Sequence, residues 1–426
     1  MLIEFSVENF RSFKKRQSLS MVKAKGTELE GSNSFEINAV NKIQLLRSSA
    51  IYGPNASGKS NFLAALQTMK ETVVNSALSQ QRGDSLSISP FKLSRDTESK
   101  PSEFEVTFIV DGVRYQYGFS ATSEKVYEEW LLAYPKGRAQ TWIGRVWDEE
   151  SADYIWEPSN NLNGEKQLWQ KSTRDNALFL STAVQLNSKQ LQPIYDWFKD
   201  VLKMGGVGGW GMGFSASQCE KEGKNKILNF LKAADLDIED IEVKREPFDP
   251  NFLPDDIPDA IREQVVNDLK GKSLLDVKTI HKRDDGSEVA FNIEDESDGT
   301  QRLFGFAGPW VDCLSNGYVL FIDELHDNLH PKLVSYLVSL FHSDKTNPLN
   351  AQLIFTTHET SILSQDVFRR DQIWFCEKDY SQGTEMYPLS DFSPRKGREN
   401  LELSYLSGRY GALPFIKNTK LDLEVQ

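Results

Sequence analysis

Cysteine is scarce. The chain has three among 426 residues, Cys219, Cys313 and Cys376, far apart and odd in number. This argues against a disulfide framework and against a zinc site of paired CxxC units, and leaves buried or incidental thiols. Long apolar runs are missing as well: nothing approaches the roughly 20 residues that span a bilayer. The opening MLIEFSVENF lacks the basic segment and apolar stretch of a secretory signal, so a cytoplasmic protein with no membrane segment is expected. No sustained heptads occur, which excludes a long coiled coil. Positive charge is in deficit, with 49 Lys and Arg against 62 Asp and Glu and a formal net charge of −13. A protein whose whole surface grips nucleic acid is usually basic, because phosphate contacts dominate that affinity. Any nucleic-acid contact here is confined to a local patch, and the acidic balance serves solubility.

What is present fits a globular chain of two or three folded units. The start alternates, Ile3, Phe5 and Val7 against Glu4, Ser6 and Glu8, as a strand does. Asn9 to Phe13 reads as a turn and Gln17 to Val22 as a return strand; Gly31 to Ser34 reads as a loop. Leu45 to Tyr52 reads as one buried strand entering a glycine-rich loop. Lys59 to about Leu78 has helical spacing, with Phe62, Leu63, Leu66 and Met69 on one side. Strands are expected at Phe104 to Val110, Val113 to Phe119 and Trp130 to Tyr134, the first two joined by the hairpin turn Asp111-Gly112. From about 150 to 280 the chain turns polar, acidic and mostly helical in pattern, broken by the glycine-rich Gly205 to Gly213 and the proline-bearing loop Phe248 to Asp259. Later strands are expected at Tyr318 to Ile322, Leu353 to Thr357 and Gln372 to Cys376, the last closing the sheet. A helix should begin at Pro331 and run to about His342.

Gly53-Pro54-Asn55-Ala56-Ser57-Gly58-Lys59-Ser60 matches G-x-x-x-x-G-K-[ST], after a strand and at the head of a helix. The glycines let backbone N–H groups face phosphate oxygens, and the helix N-terminus adds positive potential. Lys59 can reach the β- and γ-phosphates, and the Ser60 hydroxyl can ligate Mg²⁺. Val319 to Glu324 is an apolar strand ending in two acids: Asp323 can sit beside the metal, and Glu324 can orient and deprotonate an attacking water. Ser297-Asp298-Gly299-Thr300-Gln301 opens a helical run to Trp310, a second phosphate-binding N-terminus or a plain cap. His358, after a strand, can hydrogen-bond a γ-phosphate or simply end that strand. His326 and His330 are four apart, but Pro331 starts a new helix just after them, so a loop is favoured over a metal site. Asp235 and Asp237 read as a solvated acidic face.

The order of P-loop, SDGTQ, apolar strand with Asp-Glu, then His resembles ABC-type ATPases of the SMC, RecF and OLD group. So do the opening Ile3 to Phe13 and the run Asp323 to Pro331. The ending Ser407-Gly408-Arg409-Tyr410-Gly411-Ala412-Leu413-Pro414 resembles a narrower set, the stand-alone bacterial ATPases of the RloA and AbiLii kind and the AriA component of the PARIS anti-phage system. The resemblance implies an α/β fold: an ABC-ATPase head, with a mixed central sheet, an antiparallel β lobe and a mainly helical insert. The domains would be 1–149, 150–285 and 286–426. It implies ATP and Mg²⁺, with Arg11, Gly53, Asn55, Ala56, Ser57, Gly58, Lys59, Ser60 and Asn61 around the nucleotide. Ser60 and Asp323 would hold the metal, and Glu324, His358 and Lys59 would be catalytic. Ser297, Gly299 and Gln301 would contact the nucleotide of a second copy, and Gln116 is a candidate for the glutamine loop. The implied function is an ATP-dependent homodimer or higher homo-oligomer that regulates a separate effector, a TOPRIM nuclease or toxin, in response to a phage protein trigger. The stretch after His358 is expected to be too short for such a nuclease. The alternative is a DNA-maintenance ATPase like RecF or the SMC proteins.

Overall fold

The computed structural model describes residues 1–37, 42–206, 210–248, 253, 257–269, 273–395, 397 and 399–415. These fall into two compact units: Met1–Gly208 with Asn316–His326 and Leu337–Gln426, and Gly209–Ser315 with Asp327–Tyr336.

In the first unit the alternating start forms β1 (Leu2–Glu8), which pairs antiparallel with β2 (Gln17–Ser20). The turn between them places Asn9 and Arg11 at φ 49° and 47°, in the left-handed region. A short helix, Glu30–Asn33, stands where a loop was expected. β3 (Ser34–Ile37) and β4 (Ile43–Leu46) make a two-stranded ribbon, and β5 (Ser48–Tyr52) joins a different sheet. The single expected strand is thus cut at Arg47, whose buried guanidinium pairs with Asp344 and donates to Asn350 at 3.1 Å. The helix Lys59–Asn75 buries Phe62, Leu63, Leu66 and Met69 as its spacing predicts.

β6 (Ser102–Val110) and β7 (Val113–Ala121) form the expected hairpin, with Asp111 and Gly112 both at positive φ, 48° and 75°. That is the two-residue turn Asp-Gly favours, because its twist matches the strands. β8 (Val126–Tyr134), β9 (Gln140–Asp148) and β10 (Asp153–Trp156) extend it into a seven-stranded antiparallel sheet, ordered β10-β9-β8-β7-β6-β1-β2. Glu129 of β8 is buried here with Arg145 of β9 at 3.1 Å. The carboxylate also accepts from Phe179 N, Leu180 N and Tyr117 Oη at 2.7, 3.0 and 3.0 Å. A charge taken out of water survives only when so fully paired.

The 150–285 stretch is helical at Lys166–Ser172, Phe179–Gln185, Gln192–Asp196, Gly213–Cys219, Lys224–Ala233 and Asp259–Leu269, but it also carries strands. Residues 150–206, expected to open an insert, belong to the first unit. Trp197 and Phe198 pack on Phe108, Trp197 stacked at 4.2 Å, and β11 (Leu202–Gly205) joins the central sheet. A polar average over this stretch hides these few apolar anchors. Of the glycine-rich segment, 207–209 lie outside the described residues, as do 249–252 and 254–256 of the proline-bearing loop. In the second unit β12 (Asp240–Pro247), β13 (Ser273–Lys282) and β14 (Glu288–Asn292) form an antiparallel sheet.

β15 (Val319–Ile322), β16 (Gln352–Thr356), β17 (Ile373–Lys378) and β18 (Thr384–Pro388) complete the central sheet, ordered β11-β15-β16-β5-β17-β18. Its first five strands are parallel, and β18 is an antiparallel edge beyond the strand expected to be last. β5, β15 and β16 are buried along their whole length, as parallel strands covered on both faces are. The fold is the expected mixed α/β type, and among the described residues no helix is long and apolar enough to cross a membrane.

Candidate functional site

β5 delivers the chain into the loop at Gly53, and Gly58 ends it at the head of the Lys59–Asn75 helix. Gly58 has φ 116°, and a Cβ there would lie 2.2 Å from Thr384 Oγ1. Only glycine meets both demands. Asn55, Ala56 and Ser60 are exposed, while Ser57 and Lys59 are buried.

The Lys59 ammonium donates to Gly53 O, Pro54 O and His358 Nε2 at 2.8, 3.1 and 3.1 Å. All three acceptors are neutral. Burial holds its pKa below the usual lysine value, while Cys376, Asp323 and Glu324 nearby act the other way. His358 is pushed down to about 4, first by burial and then by the Lys59 cation and His326. It is therefore neutral near pH 7. Since Lys59 has only protons to offer, His358 Nε2 carries the lone pair and Nδ1 the proton.

β15 ends at Ile322, and β16 lies beside it in parallel. Thr356 at the end of β16 ties the two acids together. Its hydroxyl donates to Asp323 Oδ1 at 2.5 Å and accepts from Glu324 N at 2.8 Å. Asp323 is buried, and Glu324 sits at φ 53°, a conformation costly for a residue with a side chain. An open cleft of about 400 Å³ is lined by Ser60, Leu63, Ala64, Gln67, Met204, Gly205, Gly206 and Asp323. The P-loop serine and the first acid of the strand thus line one cleft.

These features fit a magnesium nucleotide. A buried ammonium with only neutral partners complements a phosphate. Ser57 Oγ is buried with no hydrogen-bond partner among the described residues. The hydroxyl of Ser60 and the carboxylate of Asp323 are oxygen donors of the kind Mg²⁺ takes.

Other sequence candidates fall as follows. Arg11 is exposed, with its guanidinium 5.2 Å from the Phe10 ring, next to Ser12, which binds Asn61. The Asn61 amide donates to Ser12 Oγ at 2.9 Å, so its side chain braces the loop. In the second unit Ser297 caps the helix Asp298–Asn316, its Oγ accepting from Thr300 N at 3.2 Å. A Cβ on Gly299 would meet nothing nearer than 3.6 Å. The Gln301 amide donates to the carbonyls of Glu294 and Glu296, holding the loop in shape. Gln116 is not a glutamine-loop residue: its amide is spent inside the antiparallel sheet, on Glu105 at 2.9 Å and Tyr134 at 3.1 Å. His330 accepts from Lys332 N at a helix start, while His326 stands against the His358 ring at 5.6 Å. Asp235 and Asp237 are exposed.

Sequence reasoning missed Thr356, Ser12 and Thr384, and it singled out His326 without its place beside His358. Thr356 had a signal in principle, as a hydroxyl at the end of the strand beside the acidic one.

The SMC head domain from Thermotoga maritima is similar at 13% identity and a TM-score of 0.42, over 91% of this chain and 98% of its own. The SMC head bound to the C-winged helix domain of ScpA is similar at 13% identity and a TM-score of 0.39, over 91% and 97%. No protein of curated function matches. Residues 48–364, from the strand before the P-loop to just beyond His358, match the family described as "AAA domain, putative AbiEii toxin, Type IV TA system", and with most of its length inside that match the chain belongs to this family.

Proposed function

We propose that the chain binds and hydrolyses ATP with Mg²⁺, and that two copies close around the nucleotide to regulate a separate effector in bacterial anti-phage defence. The nucleotide part rests above all on Lys59, a buried cation held by neutral acceptors at the head of a helix, with Ser60 and Asp323 lining the same cleft. In this reading the backbone from Gly53 to Asn61 borders the phosphates, with Arg11 beside it. Ser60 and Asp323 hold Mg²⁺, which supplies charge to offset the phosphates. Glu324 takes a proton from the attacking water, and His358 senses the terminal phosphate.

Ser297 and Gly299 would face the nucleotide of the other copy, with Gln301 shaping their loop. The capped helix start at Ser297 and the open space at Gly299 support this. The family's description, which names a toxin–antitoxin system, supports a defence role over DNA maintenance. The effector would be a separate TOPRIM nuclease or toxin, the trigger a phage protein, and the compartment the cytoplasm.

Light scattering of the Glu324→Gln protein tests the pairing. A dimer that forms only with ATP and Mg²⁺ is expected; a protein that stays monomeric at saturating ATP contradicts it. Phage plating on cells carrying the gene and its neighbouring reading frame tests the defence role. Protection lost in Lys59→Ala is expected, and equal protection in both contradicts the role.

A further inference from the structure

Three segments far apart in the chain meet against the phosphate loop. The N-terminal turn brings Ser12, the first turn of the loop's helix brings Asn61, and β18 opens with Thr384. Asn61 Nδ2 lies 2.9 Å from Ser12 Oγ, Ser12 Oγ lies 2.9 Å from Thr384 Oγ1, and Thr384 Oγ1 lies 2.7 Å from Ser57 O. Ser12 Oγ accepts from Asn61 Nδ2, an amide nitrogen that can only donate, and from Thr384 Oγ1. Thr384 Oγ1 also reaches Ser57 O, which has Cys376 Sγ at 3.5 Å as a second neighbour. The bonds form one connected network, in which each strengthens the next.

The chain ends on the loop itself. Besides the 2.2 Å approach of Thr384, a Cβ on Gly58 would lie 2.9 Å from Ser12 Oγ. A backbone bond from Thr384 N to Ser12 O at 2.7 Å locks the two segments together. All four residues of the relay are buried or half-buried, so water competes poorly for these bonds.

We infer that Ser12 and Thr384 are positioning residues for the phosphate loop, carrying a hydrogen-bond relay that links Asn61 to the Ser57 carbonyl and holds the glycine hinge open for phosphate. The inference rests on the nucleotide reading above. The relay acts on affinity through the shape of the loop.

Calorimetric titration with ATP and Mg²⁺ tests it on the full chain. Thr384→Val keeps the volume and removes the hydroxyl, Ser12→Ala removes the middle link, and Thr384→Ser keeps the relay. The first two should weaken ATP binding on the order of tenfold, as losing a buried hydrogen bond implies. Thr384→Ser should bind within about threefold of the unaltered protein. Turnover at saturating ATP should stay near normal, so the loss falls on KM and not kcat. Because both changes break one relay, the double variant should bind no more weakly than the weaker single. Unchanged affinity in Thr384→Val and Ser12→Ala, equal losses in Thr384→Ser and Thr384→Val, or losses that simply add would each overturn the relay. Should Thr384→Val fail to fold, Ser12→Ala alone decides by the same affinity criterion. If the unaltered protein binds no ATP, the nucleotide reading itself falls; if it binds and the variants match it, only the relay falls.

Discussion

Two buried charges meet opposite surroundings. Glu129 in the antiparallel sheet has Arg145 as counter-ion, two backbone amides and a phenol, and Arg145 in turn donates to Ala177 O at 2.6 Å. Tyr117 there has its pKa raised well above the usual phenol value by burial and by this carboxylate. Lys59 in the P-loop has two carbonyls and an imidazole. The first cluster balances its charge within the fold, one carboxylate against one guanidinium. The second has only neutral hydrogen-bond acceptors, in a place where a positive charge is costly, with Asp323 and Glu324 nearby but not bonded to it. The difference separates a charge that holds the fold from one kept for a ligand, although both residues are buried.

Carboxylates on the two sides should then fail in different ways. Glu324→Gln should lower ATP turnover by about 10² to 10⁴ and leave the unfolding midpoint near normal, measured by steady-state hydrolysis and urea denaturation. Glu129→Gln should do the reverse. It leaves Arg145 buried without its counter-ion and should lower unfolding free energy by about 3 kcal/mol, with ATP affinity of the folded protein unchanged. A Glu129 variant as stable as the unaltered protein would break the comparison.

Histidine sharpens it at a smaller scale. His342 is buried against Ser48 Oγ at 2.7 Å, and burial with the nearby Arg47 cation pushes it down to about 3; His358 is pushed down to about 4. Both folded values lie below the usual 6.5. The unfolded chain therefore binds more protons in acid, and this stabilisation is complete above about 6.5 and lost as pH falls toward 4 and below. Thermal midpoints measured from pH 7 to 5 should fall, and His342→Asn should flatten the slope. An unchanged slope would show that His342 is not held neutral by the fold.

The P-loop was legible because strand, glycine spacing and helix follow one another within a short stretch, and each has a local signature. The acidic strand end and His358 were legible for the same reason. Thr356, Ser12 and Thr384 were not, because their roles depend on partners in other segments, and a lone hydroxyl in sequence says nothing about what it will face. Gln116 misled because a glutamine in a hairpin carries no mark of the glutamate and tyrosine that flank it across the sheet. β11 was hidden in a polar stretch because its pairing with β15 alone makes it part of the central sheet.

The central claim is that the Lys59 charge is kept for phosphate. Calorimetric titration of ATP with Mg²⁺ into the unaltered and Lys59→Ala proteins, paired with unfolding of both without nucleotide, tests it most directly. The account predicts that binding vanishes in the variant while its unfolding free energy changes by no more than about 1 kcal/mol, since a buried cation bonded only to neutral acceptors adds little to stability. Unchanged nucleotide affinity, or a stability loss as large as that of Glu129→Gln, would contradict it.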